Sequence, residues 1–165
     1  ADMVTSGLVP GLVLYYLLGL TTHFSWDTIG VLPYFGLLVT LASAYRLAKF
    51  NISDNQSDSF IGLPTPANSL WIIALPLILE YEQNEFIRAL ILNPWFLIFL
   101  TLLSCYLLNA PIKLIALKFK NWSFKDNMYH YLLILSSLVV LMIFQFYGIP
   151  LVIIGYVVLS VISNK

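Results

Sequence analysis

Two basic residues within an apolar segment are the first candidates for chemistry. Arg46 and Lys49 are three positions apart in the stretch Ala44–Asn51, so they share one face of a helix. A cation costs about 2.5–3.5 kcal/mol at the centre of a membrane helix and less near its end. Arg46 lies deeper than Lys49, and its planar guanidinium suits a phosphate or a carboxylate. We therefore predict that Arg46 binds a ligand that carries such a group, with snorkelling to the membrane surface as the alternative. For Lys49, ligand binding and snorkelling are equally open.

A rigid segment follows these two cations. Gly62, Pro64 and Pro66 interrupt regular helix there. Pro66 suits the first turn of the next helix, where its missing N–H costs nothing. The pattern predicts that the chain re-enters the membrane beside Arg46, although a plain turn would use the same residues.

Other polar and small residues within the apolar segments have structural explanations. Asn68, Asn109 and Gln145 are predicted to make hydrogen bonds between helices rather than to act as catalysts. Gly7 and Gly11 have the small-xxx-small spacing that allows two helices to approach closely. We read this spacing as a packing feature.

Familiar catalytic and metal-binding patterns are missing from the sequence. His23 and His130 fall at opposite membrane faces of the predicted layout, so they cannot share a metal ion. Cys105 lies among leucines without a basic neighbour, which is typical of an inert apolar side chain. Neither a nucleophile motif nor a glycine-rich phosphate loop occurs.

The amino-acid composition is much more apolar than that of a soluble domain. Of the 165 residues, 60% are hydrophobic and 10% are charged, and the formal net charge is zero. Soluble domains are about 45–50% apolar and about 25% charged. These values exclude a disordered chain, a nucleic-acid-binding protein and an ordinary soluble enzyme domain. We expect an all-α, polytopic membrane helix bundle that forms a single transmembrane domain over residues 1–165.

About six segments are long and apolar enough to be predicted spans. Residues 129–162 could instead form one long kinked helix, because Gly148 and Pro150 are tolerated inside membrane helices. The predicted spans are Val4–Leu20, Ile29–Phe50, Leu63–Leu79, Pro94–Ile112, Tyr129–Phe146 and Leu151–Ile162.

The basic residues orient this layout. Six spans place only Arg88 on one side of the membrane and seven basic residues on the other. The positive-inside rule makes the seven-residue side cytoplasmic, and Asp2 falls on that side too. Lys118, Lys120 and Lys125 there alternate with aromatic residues, which suits an interfacial anchor or anionic lipid headgroups. The seven are Arg46, Lys49, Lys113, Lys118, Lys120, Lys125 and Lys165.

Several stretches resemble the CDP-alcohol phosphatidyltransferase family of the bacterial inner membrane. The resemblance is strongest in Ala1–Gly11, Arg46–Asn51 and Gly62–Ala67, and it extends to Leu117–Asp126. It places Asp2 at the last aspartate of the family signature D-x-x-D-G-x-x-A-R…G-x-x-x-D-x-x-x-D. The other three aspartates and two helices would precede Ala1, so we expect a fragment that is inactive alone.

The resemblance implies an activity and a set of partners. Family members transfer a phosphatidyl group from CDP-diacylglycerol to an alcohol and release CMP, and the matching stretches favour L-serine as the alcohol. Asp2 would act as catalytic base and as a ligand of Mg²⁺ or Mn²⁺, and Arg46 and Lys49 would bind substrate. A homodimer with its active site facing the cytoplasm is also implied. Glycerol phosphate, inositol phosphate or choline as the acceptor is the alternative, and a small membrane transporter is the alternative from another class.

Overall fold

A computed structural model of the chain describes residues 1–21, 30–52, 60–81, 83–114 and 128–163. Most of these residues are helical, and each predicted span contains a helix, so the predicted helix bundle is confirmed. The helical elements are a π-helical segment (Met3–Leu8), α1 (Val9–Thr21), a 3-10 segment (Leu32–Leu37), α2 (Leu38–Ile52), α3 (Thr65–Tyr81), α4 (Glu85–Ile91), α5 (Pro94–Asn109), α6 (Met128–Phe144), a 3-10 turn (Gln145–Tyr147) and α7 (Gly148–Ser163). Two short strands, β1 (Phe60–Ile61) and β2 (Lys113–Leu114), complete the described elements.

Apolar side chains cover both the interior and much of the outer surface. By length and composition, Met3–Thr21 and Tyr131–Ile162 can each cross a membrane, and α4 with α5 forms a third candidate bent by 55°. On α6, Leu135 is 66% exposed and Met142 is 81% exposed. Side chains of this kind are stable at such exposure in contact with lipid rather than water. The chain is therefore a helical membrane protein.

The segment from α6 to α7 folds back on itself. A Cβ atom placed on Gly148 would lie 3.0 Å from the Cα atom of Leu141, although one continuous helix would hold these residues about 10 Å apart at 1.5 Å per residue. Gln145 has a φ of 48° at the turn. The two helices pack against each other as an antiparallel hairpin. This geometry favours two crossings over the single kinked helix that the sequence left possible.

Close contact between α1 and α2 fixes the first part of the bundle. A Cβ atom on Gly11 would lie 2.1 Å from the hydroxyl oxygen of Thr40, and that hydroxyl donates a hydrogen bond to the carbonyl oxygen of Gly7 at 3.1 Å. A Cβ atom on Gly36 would lie 2.5 Å from the backbone nitrogen of Tyr15. The predicted packing role of Gly7 and Gly11 is confirmed, because only glycine leaves room for this approach.

Two asparagines begin the helices at the end of the bundle opposite Arg46. The side chain of Asn84 accepts a hydrogen bond from the backbone N–H of Phe86 and starts α4, and Asn93 accepts from Trp95 and starts α5. Both satisfy donors that a helix start leaves unpaired. The guanidinium of Arg88 donates to the carbonyl oxygen of Leu79 and holds α4 against the end of α3.

Candidate functional site

Backbone pairing brings two distant segments to the same end of the bundle. Phe60 pairs with Leu114 in the short antiparallel ladder of β1 and β2. The pairing extends by one residue, because the N–H of Gly62 donates to the carbonyl oxygen of Ile112 at 2.9 Å. The N–H of Leu63 then donates to the carbonyl oxygen of Leu107 in the last turns of α5 at 2.8 Å. The chain after α2 is thus held against the end of α5. Both segments were predicted to lie on one side of the membrane, and the structure confirms that they share one end of the bundle.

Gly62 makes this arrangement possible. Its φ is +74°, a region that side chains rarely adopt, and a Cβ atom would lie 2.5 Å from the carbonyl oxygen of Leu108. Its own carbonyl oxygen accepts a hydrogen bond from Nη2 of Arg46 at 3.4 Å. Pro66 then lies in the first turn of α3, as predicted. The segment that leads into α3 therefore lies beside Arg46, as the sequence predicted.

Arg46 is a buried cation with unused hydrogen-bonding capacity. Its exposed fraction is 8%, and its Nε has no hydrogen-bond partner in the described part of the chain. No ion pair joins it to a carboxylate of a described residue. The hydroxyl of Tyr156 on α7 is close enough to interact with it electrostatically. A buried charge without a counter-charge is costly, so the site favours an anionic ligand.

The other two predicted site residues are exposed. Asp2 precedes the π-helical segment, and Lys49 lies one turn beyond Arg46 on α2. The contacts of Gly7 with Ser43 and of Gly11 with Thr40 show that α1 and α2 run antiparallel. Extended by one further turn, this register places Asp2 at the level of Lys49. The three predicted residues therefore lie at one end of the bundle, although no measured contact joins Asp2 to the cations.

The described residues do not by themselves form a metal centre. Within the described ranges, no group of three or more histidine, cysteine, aspartate or glutamate side chains could hold an ion. Asp2 supplies one carboxylate, and a divalent cation such as Mg²⁺ takes six oxygen ligands, some of them water. Asp2 suits the chemistry of such a ligand, but further ligands would have to come from outside the described residues.

Asn68 and Asn109, for which the sequence predicted the same role, differ in their hydrogen bonds. Asn109 donates a hydrogen bond from α5 to the carbonyl oxygen of Ala42 on α2 at 3.4 Å, so its predicted interhelical role is confirmed. Asn68 is wholly buried, yet neither of its amide atoms has a partner among the described residues. The prediction of an interhelical hydrogen bond was wrong for Asn68.

Sequence reasoning also missed two residues near Arg46. Ser43 is wholly buried on the same face of α2, one turn before Arg46, and its hydroxyl has no partner within the described residues. The spacing of three residues was a signal that could have identified it. Tyr156 gave no such signal, because α7 is mostly apolar and nothing in the sequence shows which of its faces turns toward Arg46.

An apolar groove opens on the side of the bundle between α3, α5 and α7. Its volume is about 470 Å³, and every side chain that lines it is apolar or aromatic. Its walls include Trp71, Leu75, Phe99, Leu103 and Ile154. The groove is chemically suited to hydrocarbon, in contrast to the polar end of the bundle around Arg46.

Together these features define a class: a polytopic helical membrane protein with a buried guanidinium beside a re-entrant segment at one end. Comparison with known proteins agrees with this class and is more specific. The chain is 39% identical over 75 residues to a CDP-diacylglycerol–serine O-phosphatidyltransferase of Helicobacter pylori, which covers 44% of this chain and 29% of the relative. The protein of that name from a second Helicobacter pylori strain is 37% identical over the same length.

A more distant organism gives the same result. The CDP-diacylglycerol–serine O-phosphatidyltransferase of Bacillus subtilis is 31% identical over 90 residues, which covers 54% of this chain and 45% of the relative. The chain thus matches less than half the length of these curated relatives. The predicted resemblance to phosphatidyltransferases is confirmed. No protein-family model and no solved structure matches the chain.

Proposed function

We propose that the full-length protein transfers a phosphatidyl group from CDP-diacylglycerol to L-serine, with phosphatidylserine and CMP as products. The similarity to three proteins named for this reaction carries the proposal. The buried, uncompensated guanidinium of Arg46 supports it, because each substrate carries an anionic group, the phosphates of CDP-diacylglycerol and the carboxylate of L-serine. The apolar groove between α3, α5 and α7 supports a lipid substrate, since hydrocarbon would fill it without leaving a polar group unpaired.

In the proposed reaction, the serine hydroxyl attacks the phosphorus atom that carries diacylglycerol. The new serine–oxygen–phosphorus bond forms as the pyrophosphate bond to CMP breaks. Asp2 accepts the proton of the hydroxyl, a role that its exposed position permits. Arg46 holds the phosphate of the lipid or the carboxylate of serine, and Lys49 adds positive charge one turn closer to the surface.

The proposal includes a divalent cation, Mg²⁺ or Mn²⁺, with Asp2 as one of its ligands. Such an ion would supply neutralising charge for the pyrophosphate. It also includes a homodimer in the bacterial inner membrane, with the end that carries Arg46 facing the cytoplasm. The charge bias of seven basic residues against one in the predicted layout supports this orientation.

Release of CMP by the purified full-length protein tests the proposal. Protein in detergent micelles receives CDP-diacylglycerol and Mg²⁺ or Mn²⁺ together with L-serine, glycerol 3-phosphate, inositol phosphate or choline. We expect CMP release that depends on L-serine and disappears when EDTA removes the metal. CMP release that depends on another alcohol would support phosphatidyl transfer but would show that L-serine is not the acceptor. Failure to release CMP with any alcohol would refute the enzyme and favour a transporter.

A further inference from the structure

Four side chains at the Arg46 end of the bundle bury polar atoms that have no partner among the described residues. In Asn109 only Oδ1 is without a partner, because its amide nitrogen donates to the carbonyl oxygens of Ala42 and Cys105. Asn68 and Ser43 each have an exposed fraction of 0%. The unpartnered atoms of the other three residues are both amide atoms of Asn68, the hydroxyl of Ser43 and Nε of Arg46. Buried polar atoms are nearly always hydrogen-bonded, so a group of four such atoms calls for an explanation. We call Ser43, Arg46 and Asn68 the polar layer.

The helix registers place these three residues at similar depth. The hydroxyl of Ser69 donates to the carbonyl oxygen of Thr5 at 3.4 Å, so Asn68 lies near the level of Val4. The antiparallel contact of Gly7 with Ser43 places Val4 near the level of Arg46. The π-helical segment packs against both α2 and α3 and connects the two sides of the layer. π-Helical turns are rare and occur often at functional sites.

The chemistry of the polar layer suits a small ligand with several polar groups. The guanidinium of Arg46 offers donors and positive charge to a carboxylate or phosphate. Asn68 offers one acceptor, which suits an ammonium group, and two donors. The hydroxyl of Ser43 can donate or accept. An inorganic anion would use the donors and leave the Asn68 carbonyl oxygen unpaired, whereas an amino acid brings a carboxylate for the donors and an ammonium group for that oxygen.

We propose that Asn68, together with Ser43, forms the part of the site that recognises the acceptor and sets its specificity for an amino acid with a free ammonium group. The proposal deepens the proposed function and rests on it for the identity of L-serine. It also explains why the protein keeps a wholly buried amide that contributes no internal hydrogen bond. Such a group lowers the stability of the ligand-free fold and is retained where function requires it.

The test compares Asn68→Leu with Asn109→Leu in the full-length protein. Leucine has the same branching and the same number of non-hydrogen atoms as asparagine but cannot form hydrogen bonds. We expect Asn68→Leu to raise the KM for L-serine about tenfold, equivalent to about 1.4 kcal/mol of binding, while the KM for CDP-diacylglycerol stays within about twofold. Its thermal unfolding midpoint should stay the same or rise. Asn109→Leu should lower the midpoint, because Asn109 bonds the carbonyl oxygens of Ala42 and Cys105, and should leave both KM values unchanged.

A second readout does not depend on turnover. L-Serine should raise the unfolding midpoint of the wild type, and this shift should be smaller in Asn68→Leu and in Ser43→Ala, a milder change that serves if the leucine variant does not fold. A shift in an inactive wild type would refute the proposed function but support the subsite. The subsite is refuted if L-serine gives no shift in the wild type, or if inorganic phosphate gives the same shift. A lower midpoint with an unchanged KM for L-serine in Asn68→Leu would also overturn it.

Discussion

The guanidinium of Arg46 donates a hydrogen bond to the carbonyl oxygen of Gly62, and this contact joins α2 to the re-entrant segment before α3. The Gly62 carbonyl is available because the residue has a φ of +74°. The backbone N–H of the same residue donates to Ile112, beyond the end of α5. One glycine therefore connects three segments around a buried cation, and the remaining donors of Arg46 are left for a ligand.

The role of Arg46 is tested by Arg46→Ala in the full-length protein. We expect the KM for a substrate to rise by about tenfold or more, because a buried charge-assisted contact of about 1.5–3 kcal/mol is lost. Leu41→Ala on the same helix serves as the control, since Leu41 is 66% exposed on the outer surface. Steady-state kinetics measure the KM values of both variants, and a membrane-insertion assay measures whether each variant still inserts stably. Loss of stable insertion with Arg46→Ala would show that this residue serves topology rather than binding.

A methyl group at position 62 should disrupt the re-entrant segment. Gly62→Ala places a Cβ atom 2.5 Å from the carbonyl oxygen of Leu108 on a backbone of positive φ. We expect a loss of about 1–3 kcal/mol in the free energy of unfolding and reduced activity. Gly155→Ala is the matched control, because a Cβ atom there has no neighbour within 4 Å. Equal unfolding midpoints for the two variants would contradict this account of Gly62.

The contact between α1 and α2 predicts coupling between two positions. In Gly11→Ala the new methyl group meets the hydroxyl of Thr40, so we expect a loss of about 1–3 kcal/mol. Thr40→Ala removes that hydroxyl and its hydrogen bond to Gly7 and should destabilise on its own. The double variant should lose less unfolding free energy than the two single variants lose together, and a double-mutant cycle of thermal unfolding measures the difference. Strict additivity would show that the two side chains do not meet.

The sequence predicted where the helices lie in the chain better than it predicted which helices pack against each other. Apolar runs and the breaks at Gly62, Pro64 and Pro66 were sufficient to place α3 and the segment before it, because these signals are local. The spacing of Gly7 and Gly11 predicted close packing but not that Thr40 would occupy the gap. Which faces meet depends on contacts between residues far apart in the chain.

In the candidate site too, local sequence patterns identified individual residues but not the contacts between them. Arg46 and Lys49 were identified because a charge within an apolar run is expensive and therefore conspicuous. Asn68 was identified as polar and buried, but its lack of a partner became visible only in three dimensions. Tyr156 lies on α7, about a hundred residues later in the chain, and no local pattern predicts its electrostatic interaction with Arg46.

The hairpin of α6 and α7 predicts a specific labelling pattern. With Cys105 replaced by alanine, single cysteines at Met128 and Ile162 should react with a membrane-impermeant maleimide from the same side of the membrane. A cysteine at Gln145 should react from the opposite side. All three positions are exposed in the structure. Labelling of Met128→Cys and Ile162→Cys from opposite sides would show that residues 129–162 cross once, as a single kinked helix.

A substitution of Asp2 should affect catalysis without affecting folding. The side chain of Asp2 is exposed and makes no capping hydrogen bond to the π-helical segment that follows it. Asp2→Asn in the full-length protein should therefore leave the unfolding midpoint unchanged. It should nevertheless lower kcat by about 10²-fold or more, because an amide cannot accept the proton of the acceptor hydroxyl.

The side-chain change is minimal, so the variant has almost the same size and shape as the wild type. Kinetics at saturating CDP-diacylglycerol and L-serine measure kcat, and EDTA titration shows whether the metal requirement changes with it. A lower apparent affinity for Mg²⁺ or Mn²⁺ would support Asp2 as a metal ligand as well as a base. Near-normal kcat would remove Asp2 from the catalytic role and leave Arg46 and Lys49 as the predicted site residues.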